Sequence, residues 1–425
     1  MRDSSGTPER ENGASSPPRE DALLPALRPL EIVPLVHQGR RLLLLRDPSG
    51  IVAEPLVVSP ASLELLRFFD GRHSLREAQL AIARSSGQIL PAAQIEAFQA
   101  KLESQHYLDS RNYQEFRAKL AREYHAWALR PPQFAGSAYP QDPDRLRETL
   151  SALYQPPGGP GLPGARVAAP PLGIAAPHID FARGGAVYAH AYAKLWRADA
   201  TRVLILGVSH AGARQPFVAT RKDYSTPLGP LPTDTAFLDA LRSRLPWELL
   251  EEEELHRWEH SIEFQTVFLQ HALASESTRI LPLLCAFSWE DLRAGSAERA
   301  AIDAFLAALS RAMKESNERW LVVAGVDLAH MGPRFGDREA LSAGMLVQIH
   351  RRDRALLERL AAGDREDFVA DILAGENERR ICGVPALYAL SFLMEGARGS
   401  VLAYDQSVEA ATGSVVSFGA LAFPA

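Results

Sequence analysis

Cysteine is scarce in this sequence, with only Cys285 and Cys382 among 425 residues. Two thiols exclude a disulfide-stapled scaffold, and a single bridge is not expected in a reducing compartment. Each cysteine must therefore be explained as buried packing, as a metal ligand or as a reactive thiol.

Long apolar runs and an excess of positive charge are also missing. No segment approaches about 20 uninterrupted apolar residues, which argues against a membrane-spanning helix. The formal net charge is −6 and the isoelectric point is about 6.1, so the basic footprint of a nucleic-acid-binding protein is missing as well. The first residues lack the basic start and apolar core of a signal peptide. We therefore expect a cytoplasmic protein with neither a membrane nor a nucleic acid as its partner.

What is present is the composition of an ordinary globular protein. Hydrophobic residues make up 46% of the chain and charged residues 23%, as is usual for folded domains. A chain of this length predicts two domains rather than one.

The N-terminal part predicts a small α+β domain behind a polar leader. Residues 1–29 are rich in Ser, Pro, Gly, Glu and Arg and are expected to be disordered, so that structure starts near Leu30. Residues 30–110 are expected to form a module of one hairpin and three helices. A helical connector over 111–133 follows, broken by Pro131 and Pro132.

Local signals support this module. The segment RLLLLRDPSGIVAEPLVVS predicts two strands around a turn at Asp47-Pro48-Ser49-Gly50. Ser74 and Glu77 predict a capping box at the start of a helix that Gly87 ends.

From Phe134 onward the sequence alternates strand-like and helical stretches, which predicts a layered α/β domain over 134–425. Three of its apolar runs end in polar side chains: LGIAAPH in His178, VLILGVSH in His210, and LVVAGVDLAH in Asp327 and His330. Such runs are typical of buried parallel strands. Ligands of open α/β sheets bind outside the carboxyl ends of the strands. The three runs therefore predict one crevice supplied with imidazole and carboxylate groups.

Cys382 is a further candidate for this crevice. It lies with Gly383 just before an apolar helical stretch, and a helix N-terminus can lower the pKa of a thiol. Taken singly, each group has a simpler explanation: a satisfied polar histidine, a small buried cysteine, or Asp327 as the cap of a following helix. The convergence of three strand ends and one helix start favours a shared metal or catalytic site. Cys285 lies inside a strand-like run and is predicted to be structural.

The segment RWEHSIEFQTVFLQHAL predicts an amphipathic helix whose start carries ionisable groups. Glu259 would bind free backbone donors there. For His260 a functional and a packing role are equally supported, and Glu263 is expected to be an ordinary acid of the first turn. His256 and the run Glu251–Glu254 are expected to be exposed to solvent.

In its second domain the sequence resembles the Memo family, relatives of the class III extradiol dioxygenase fold. The resemblance covers about residues 134–423 and depends on motifs that occur in the family's order: AGSAYPQDPDRL, AAPHIDFARGGAVYAHAY, LILGVSHAG, WEHSIEFQTVFLQ, ILPLLCAF, VAGVDLAHMG, ICGVPALYAL and GSVVSFGALAF. It implies a layered α/β/α domain. Bacterial and archaeal Memo proteins of this kind are known as AmmeMemoRadiSam system protein B, which implies a radical SAM enzyme and an AMMECR-like protein as partners.

The resemblance also implies roles for single residues. The positions that match the family's His/His/Cys site for one metal ion are His178, His210 and Cys382. Asp327 and His330 match its Asp-x-x-His and would line the same pocket as catalytic groups. His260 matches the helix motif and would support the ligands or contact substrate.

Two departures from the family pattern lie beside these positions. Asp180 and Phe181 stand where the family usually has Gly and Tyr, and the extra carboxylate is expected to alter the charge or the substrate of the pocket. Gly325 and Val326 replace the usual Ser-Ser, which removes two hydroxyl groups.

The first domain resembles PqqD-like modules of the winged-helix type, mainly through Asp70-Gly71 and the following Ser-Leu-x-Glu. In peptide-modification systems such modules bind a precursor peptide, which implies a peptide ligand for residues 30–110. A structural or dimerisation role is the alternative.

One hypothesis leads and two alternatives remain. Thiolate and imidazole donors favour iron, copper or zinc over magnesium or calcium. Together with the dioxygenase-like fold they indicate a metal-dependent oxidoreductase with iron or copper, rather than zinc, acting on a small or peptide substrate. The alternatives are a non-enzymatic scaffold that holds metal or peptide for a radical SAM partner, and a zinc-type hydrolase.

Overall fold

The computed structural model describes residues 21–47, 50–52, 54–87, 89–273 and 277–425. The chain divides into two units, one made of residues 1–47 and 54–117 and the other of residues 48–53 and 118–425. Most of the predicted leader, residues 1–20, and the predicted turn residues Pro48 and Ser49 lie outside the described residues.

In its described residues the first unit contains a three-stranded antiparallel sheet and three helices, with a fourth helix that continues into the second unit. Its elements are β1 (Glu31–His37), β2 (Arg40–Arg46), β3 (Leu56–Val58), α1 (Ser62–Leu66), α2 (Leu75–Ser86), α3 (Ala92–Ser104) and α4 (Arg111–His125). The sheet has the order β1-β2-β3. The predicted hairpin corresponds to β2 and β3, whereas β1 was not predicted. Gln38 and Gly39, with φ of 49° and 75°, form the turn between β1 and β2, as two-residue hairpin loops require.

The capping predictions for α2 are confirmed. The Ser74 side chain accepts a hydrogen bond from the backbone of Glu77, and the Glu77 side chain accepts one from the backbone of Ser74. Gly87 ends the helix in the left-handed region, with φ of 70°.

Residues before the predicted start of structure at Leu30 already belong to the first unit. The backbone N–H of Leu24 donates to the carbonyl of His73 at 2.8 Å, and that of Leu27 donates to Phe69 at 2.7 Å. Leu24 is buried. The chain from residue 21 is therefore part of the first unit, because its backbone donors are satisfied there.

The second unit is an α/β domain. Its elements after α4 are β4 (Leu129–Arg130), α5 (Pro143–Ala152), β5 (Gly173–Ala176), α6 (Phe181–Tyr192), β6 (Arg202–Val208), β7 (Phe217–Ala219), β8 (Asp223–Thr226), β9 (Gly229–Leu231), α7 (Thr235–Arg242), α8 (His260–Ala272), β10 (Arg279–Cys285), α9 (Ala297–Glu315), β11 (Trp320–Gly325), β12 (His330–Met331), α10 (Ala343–Ala362), α11 (Arg365–Ala374), α12 (Val384–Leu393), β13 (Ser400–Glu409) and β14 (Ser414–Phe423). Since β4 pairs with β8, the predicted domain start at Phe134 lies too late in the chain.

Within the described part of the chain, the main sheet has eight strands in the order β12-β14-β5-β11-β6-β10-β7, with β13 paired to β14. Strands β5, β11, β6 and β10 are parallel neighbours, and the two flanking strands β14 and β7 are antiparallel to them. The four parallel strands are almost entirely buried, as their continuous apolar runs predicted. A second sheet has the order β4-β8-β9.

Helices cover both faces of the main sheet. Because side chains of a strand alternate, β6 directs Val203 and Ile205 into one core and Leu204 and Leu206 into the other. The first core is completed by α5, α6 and α8, and the second by α9, α10, α11 and α12. The layered α/β prediction is therefore confirmed. None of the helices that the structure describes has the length and apolar content needed to cross a membrane.

The start of α8 packs directly on the carboxyl ends of β6 and β11. A Cβ atom at Gly325 would lie 2.4 Å from the carbonyl oxygen of Ser261, and one at Gly207 would lie 2.5 Å from the side chain of Ile262. Only glycine allows this approach without a shift of the backbone. Glycine at positions 207 and 325 therefore has a packing reason in this chain.

Candidate metal centre

Polar side chains follow the carboxyl ends of three adjacent parallel strands. His178 comes after β5, His210 after β6 and Asp327 after β11, and β11 lies between the other two strands. The predicted crevice is therefore formed at the expected edge of the sheet. Cys382, which directly precedes Gly383 at the start of α12, lies at the same place.

The imidazole of His178 is hydrogen-bonded through one ring nitrogen, and its other nitrogen faces Cys382. Its Nδ1 lies 3.0 Å from the carbonyl oxygen of Gly325, so Nδ1 carries the proton and donates. Its Nε2 lies 3.2 Å from the Sγ of Cys382. The side chain is buried, so Nε2 faces the cysteine in an environment with little water.

His210 is oriented by a buried carboxylate. Its Nδ1 lies 2.9 Å and 3.1 Å from the two carboxylate oxygens of Glu259, whose Oε2 also accepts the backbone N–H of His210 at 3.2 Å. Burial opposes the charge on Glu259, but the imidazolium of His210 holds the pKa of Glu259 well below its usual range. Burial also opposes the charge on His210, and Glu259 nevertheless raises its pKa well above the usual value.

Glu259 also caps α8, and this role was predicted from the sequence. It caps α8 by accepting the backbone N–H of Ser261 at 2.8 Å. Its contact with His210 was not predicted, because the two residues are 49 positions apart. A glutamate before a helix motif is a weak signal for such a contact, since capping alone explains it.

The two histidines and Cys382 converge on one point. The ligand atoms of His178, His210 and Cys382 all lie within 4.8 Å of one another. This donor set suits a transition metal ion, and the hydrogen bonds on the two Nδ1 atoms are the usual support of metal-binding histidines. The residues present therefore fit a single metal ion, as the sequence predicted.

His260 belongs to the same cluster. Its ring stacks on His210 with 4.8 Å between centroids and lies edge-on to His178 at 5.2 Å. A second set of ligand atoms within 4.8 Å of one another consists of His210, Glu259 and His260. Of the two roles considered for His260, this position favours one at the site.

The Cys382 thiol is more acidic than an ordinary cysteine. Burial would raise its pKa, but the charge of His178 and hydrogen bonds with His178 and His210 lower it to about 7. The pKa of the Cys382 thiol is therefore lowered, as the sequence predicted. The cause is the two neighbouring imidazoles, whereas the prediction named the start of α12. A thiolate is the form that binds metal ions.

Asp327 supports the backbone beside His178. Its Oδ1 accepts the backbone N–H groups of His178 at 2.9 Å and Ile179 at 3.2 Å, and its Oδ2 lies 3.7 Å from the Nε2 of His178. Burial raises the pKa of Asp327 to about 6, although the charge of His330 opposes the shift. The alternative that Asp327 caps a helix is wrong, because β12 follows it.

His330 lies beside this group. It begins β12, its Nδ1 lies 3.0 Å from the carbonyl oxygen of Leu328, and its ring packs edge-on against Phe335 at 5.1 Å. Burial lowers the pKa of His330, while the charge of Asp327 opposes this. His330 is therefore near Asp327 without belonging to the three convergent donors.

Asp180 and Phe181, the first of the two departures from the family pattern, have structural roles. Asp180 caps α6, accepting the backbone N–H of Arg183 at 3.1 Å and pairing with the guanidinium of Arg183 at 2.6 Å. Its charge is thus balanced by Arg183, and the expectation that it alters the charge of the pocket is not supported. Phe181 is buried among the rings of Tyr139, Phe264 and Phe268.

Two expectations of solvent exposure in the segment before α8 are wrong. His256 is fully buried, 2.8 Å from the hydroxyl of Tyr224 and 3.0 Å from the carbonyl of Val218. Within the run Glu251–Glu254, the last three residues are buried. Charged residues in sequence usually mark a solvated segment, and here tertiary contacts override that rule.

Glu263 is likewise not an ordinary first-turn acid. It is fully buried and forms an ion pair with Arg130, which is also fully buried. It accepts hydrogen bonds from the hydroxyl of Tyr139 and from the backbone N–H of Phe134 at 3.0 Å. Cys285, in contrast, is confirmed as a structural residue, since it is buried in β10 and burial raises its pKa well above the usual value.

Comparison with known proteins shows which family the chain is similar to over most of its length. The profile of the family described as Memo-like protein matches residues 130–422. A MEMO1 family protein of Thermus thermophilus is 32% identical over 357 residues, which cover 83% of this chain and 99% of the relative. One of Methanopyrus kandleri is 31% identical over 305 residues, covering 69% and 98%.

The similarity is not confined to the second unit. A MEMO1 family protein of Aquifex aeolicus is 25% identical over 385 residues, covering 89% of this chain and 95% of the relative. This match is longer than the Memo region and therefore includes part of the first unit. On the family profile and on the relatives that the chain spans almost completely, the chain belongs to the Memo family.

Proposed function

We propose that this Memo-family chain is a metal-dependent oxidoreductase that binds one iron or copper ion through His178, His210 and Cys382. The observation that carries the proposal is the convergence of three ligand atoms within 4.8 Å of one another at the carboxyl edge of the sheet. The bound ion would supply redox or O₂-linked chemistry for a small or peptide substrate.

The donor set supports this choice of metal. Two imidazoles and a thiolate favour iron, copper or zinc over magnesium or calcium. Three protein ligands leave at least one coordination position for another molecule, as in catalytic rather than purely structural sites. The resemblance to the extradiol dioxygenase fold favours iron or copper over zinc.

The chain's own groups would prepare the site. The carbonyl of Gly325 and the carboxylate of Glu259 occupy the Nδ1 atoms of the two histidines, so that both Nε2 atoms face the thiol. Asp327 fixes the backbone of His178. As the buried acid beside the ligands, Asp327 would hold or move a proton together with His330, or orient the substrate.

A cavity beside Cys382 offers room for the substrate. It has a volume of about 710 Å³, and its wall includes Cys382, Ile381, Met331 and Trp289. This volume is within the range of small-molecule sites, which is roughly 300–1,000 Å³. A substrate in the cavity would approach the metal from the side of the thiolate.

We also propose a peptide ligand for the first unit. Among the described residues β3 pairs only with β2 and is thus an edge strand of its sheet. Addition of a strand to such an edge is a recurrent way of binding an extended peptide. The radical SAM enzyme and the AMMECR-like protein implied by the family resemblance remain proposed partners of the whole chain.

Metal analysis of the full-length protein, purified without added metal, tests the main proposal. We expect about one iron or copper ion per chain and a visible absorption band of the oxidised protein that disappears in Cys382→Ser. Dioxygen consumption in the presence of small phenols or a peptide would then identify turnover. Stoichiometric zinc would favour the hydrolase alternative, and a redox-active metal without dioxygen consumption would favour the scaffold.

A further inference from the structure

The loop that carries Cys382 has an unusual backbone. Glu376, Asn377 and Arg380 have φ angles of 46°, 45° and 51°, all in the left-handed region. Residues with a side chain are disfavoured there, and such conformations persist only where the surroundings impose them. Three of them in five positions, directly before a candidate metal ligand, require contacts that hold the loop.

The strongest such contact is a buried ion pair at Arg379. Arg379 is 6% exposed and pairs with Asp353 of α10, which is fully buried. The other oxygen of Asp353 accepts hydrogen bonds from the hydroxyl of Tyr404 in β13 at 3.0 Å and from that of Ser417 in β14 at 2.6 Å. The pair therefore anchors the loop to one helix and two strands.

The backbone of the loop is bound to the candidate site on its other side. The carbonyl oxygen of Arg379 accepts the backbone N–H of His330 at 2.7 Å, and the carbonyl oxygen of Asp327 accepts that of Gly383 at 3.1 Å. A Cβ atom at Gly383 would lie 2.6 Å from that carbonyl oxygen. The chain around Cys382 thus lies directly against the segment that carries Asp327 and His330.

Other ion pairs of the loop are exposed. Arg380 pairs with Asp337, but their side chains are 41% and 28% exposed, and those of Arg352 and Glu378 are 48% and 57% exposed. Exposed pairs contribute little to holding a geometry. Removing one partner of a buried pair leaves an uncompensated charge, so the Arg379 pair should have the largest effect.

We infer that Arg379 is a positioning residue for the candidate metal centre: its ion pair with Asp353 fixes the loop 376–382 and thereby the position of the Cys382 thiolate. The inference rests on the proposed function, because it takes Cys382 as a metal ligand. Arg379 itself touches neither the metal nor the substrate in this scheme.

Titration of the metal-free full-length protein with Co²⁺ tests the inference, because thiolate coordination to Co²⁺ gives an intense near-ultraviolet absorption. The variant Arg379→Lys keeps the charge but loses the planar guanidinium. We expect its Co²⁺ affinity to fall about 10–100-fold, as is typical when support of a metal ligand is lost, with a weaker thiolate band. The matched control is Arg359→Lys, which changes another arginine that ties its helix to a neighbour through an exposed pair with Asp371; it should leave both readouts unchanged.

A less disruptive variant tests the inference if Arg379→Lys does not fold. Tyr404→Phe removes a single hydrogen bond to Asp353 and should weaken Co²⁺ binding in the same direction but by less. The inference would be overturned if Arg379→Lys folds and keeps the wild-type Co²⁺ affinity and thiolate band. If Arg379→Lys does not fold, the inference would be overturned by a Tyr404→Phe variant in which the affinity and the band are unchanged. A Cys382→Ser variant that keeps the affinity and the band would instead refute the proposed metal site itself.

Discussion

The chemistry of the candidate site depends on which nitrogen each histidine presents. In both candidate ligand histidines Nδ1 is occupied, by the carbonyl of Gly325 in His178 and by Glu259 in His210. Only Nε2 is then available, and both imidazoles contact Cys382. Hydrogen bonds that select the tautomer in this way raise the affinity of a site for metal without touching the ion.

The three donors should be individually necessary. His178→Ala, His210→Ala and Cys382→Ser are each expected to lower metal occupancy sharply, because three protein ligands leave little redundancy. Occupancy is measured by elemental analysis of the purified variants. Cys285→Ala is the control: it changes the second cysteine of the chain, which lies in β10, and should retain the metal. Full stoichiometric metal in all three variants would rule out the site.

Glu259 should matter through His210 rather than as a general acid. Glu259→Gln can keep the cap of α8 but loses the charge that orients the imidazole, so we expect metal affinity to fall about 10–100-fold. Competition with a chelator measures the affinity. Glu298→Gln, which removes the charge of an exposed glutamate in the first turn of α9, should have no effect. Equal affinities of the two variants would contradict the role of Glu259.

The convergence of the candidate ligands was predictable from the sequence, whereas the residues that support them were not. His178, His210 and Cys382 follow from local patterns, because a strand end or a helix start is visible in consecutive residues. Glu259 and Arg379 act through partners 49 and 26 positions away. No periodicity encodes such distances, so these roles required the folded chain.

At the scale of elements, the placement of α8 on β6 and β11 builds the site. A Cβ atom at Gly325 would meet the Ser261 carbonyl at 2.4 Å. Gly325→Ala should therefore displace α8 and lower the free energy of unfolding by about 1–3 kcal/mol, the usual cost of overpacking. Urea unfolding measures this. Gly164→Ala, at an exposed position with no atom within 4 Å of the added carbon, is the control, and an equal effect of both changes would contradict the packing argument.

The buried segment before α8 should make stability depend on pH. Burial lowers the pKa of His256 from 6.5 to about 4, so the unfolded chain takes up a proton before the folded one does. The contribution of the neutral histidine is complete above pH 6.5 and is lost as the pH falls toward 4, by up to about 3 kcal/mol. Urea unfolding at several pH values should show a smaller decrease in His256→Gln than in wild type. His190→Gln is the control, and an unchanged slope in His256→Gln would contradict the assignment.

Elements were easier to predict than their arrangement. The four parallel strands are visible as apolar runs because both faces of each strand are buried. Their order is not visible, since β11 follows β10 in the chain yet inserts between β5 and β6. The burial of Glu253 was hidden for the same reason: its partner Lys222, at 3.2 Å, lies on another segment.

At the scale of the whole molecule, the boundary between the two units decides which fragments can fold. The division between the units falls within α4, between residues 117 and 118. The match to the Memo family profile begins at residue 130. The sequence placed the boundary at 134 because two prolines end the connector there. That cut would remove Arg130, although its guanidinium is fully buried against Glu263 and also donates to the carbonyl of Glu259 at 2.9 Å.

Two fragments that differ only at their start should therefore behave differently. Residues 118–425 contain every donor of the candidate site together with Arg130, and we expect this fragment to fold and to bind metal with the affinity of the full chain. Residues 134–425 leave the carboxylate of Glu263 buried without its guanidinium, a loss that costs about 3–5 kcal/mol. Thermal unfolding and metal titration of both fragments measure the difference, and Arg130→Met in the longer fragment should reproduce the defect. Equal stability of the two fragments would show that the Arg130 pair is dispensable, whereas failure of both would show that residues 118–425 need the preceding chain in order to fold.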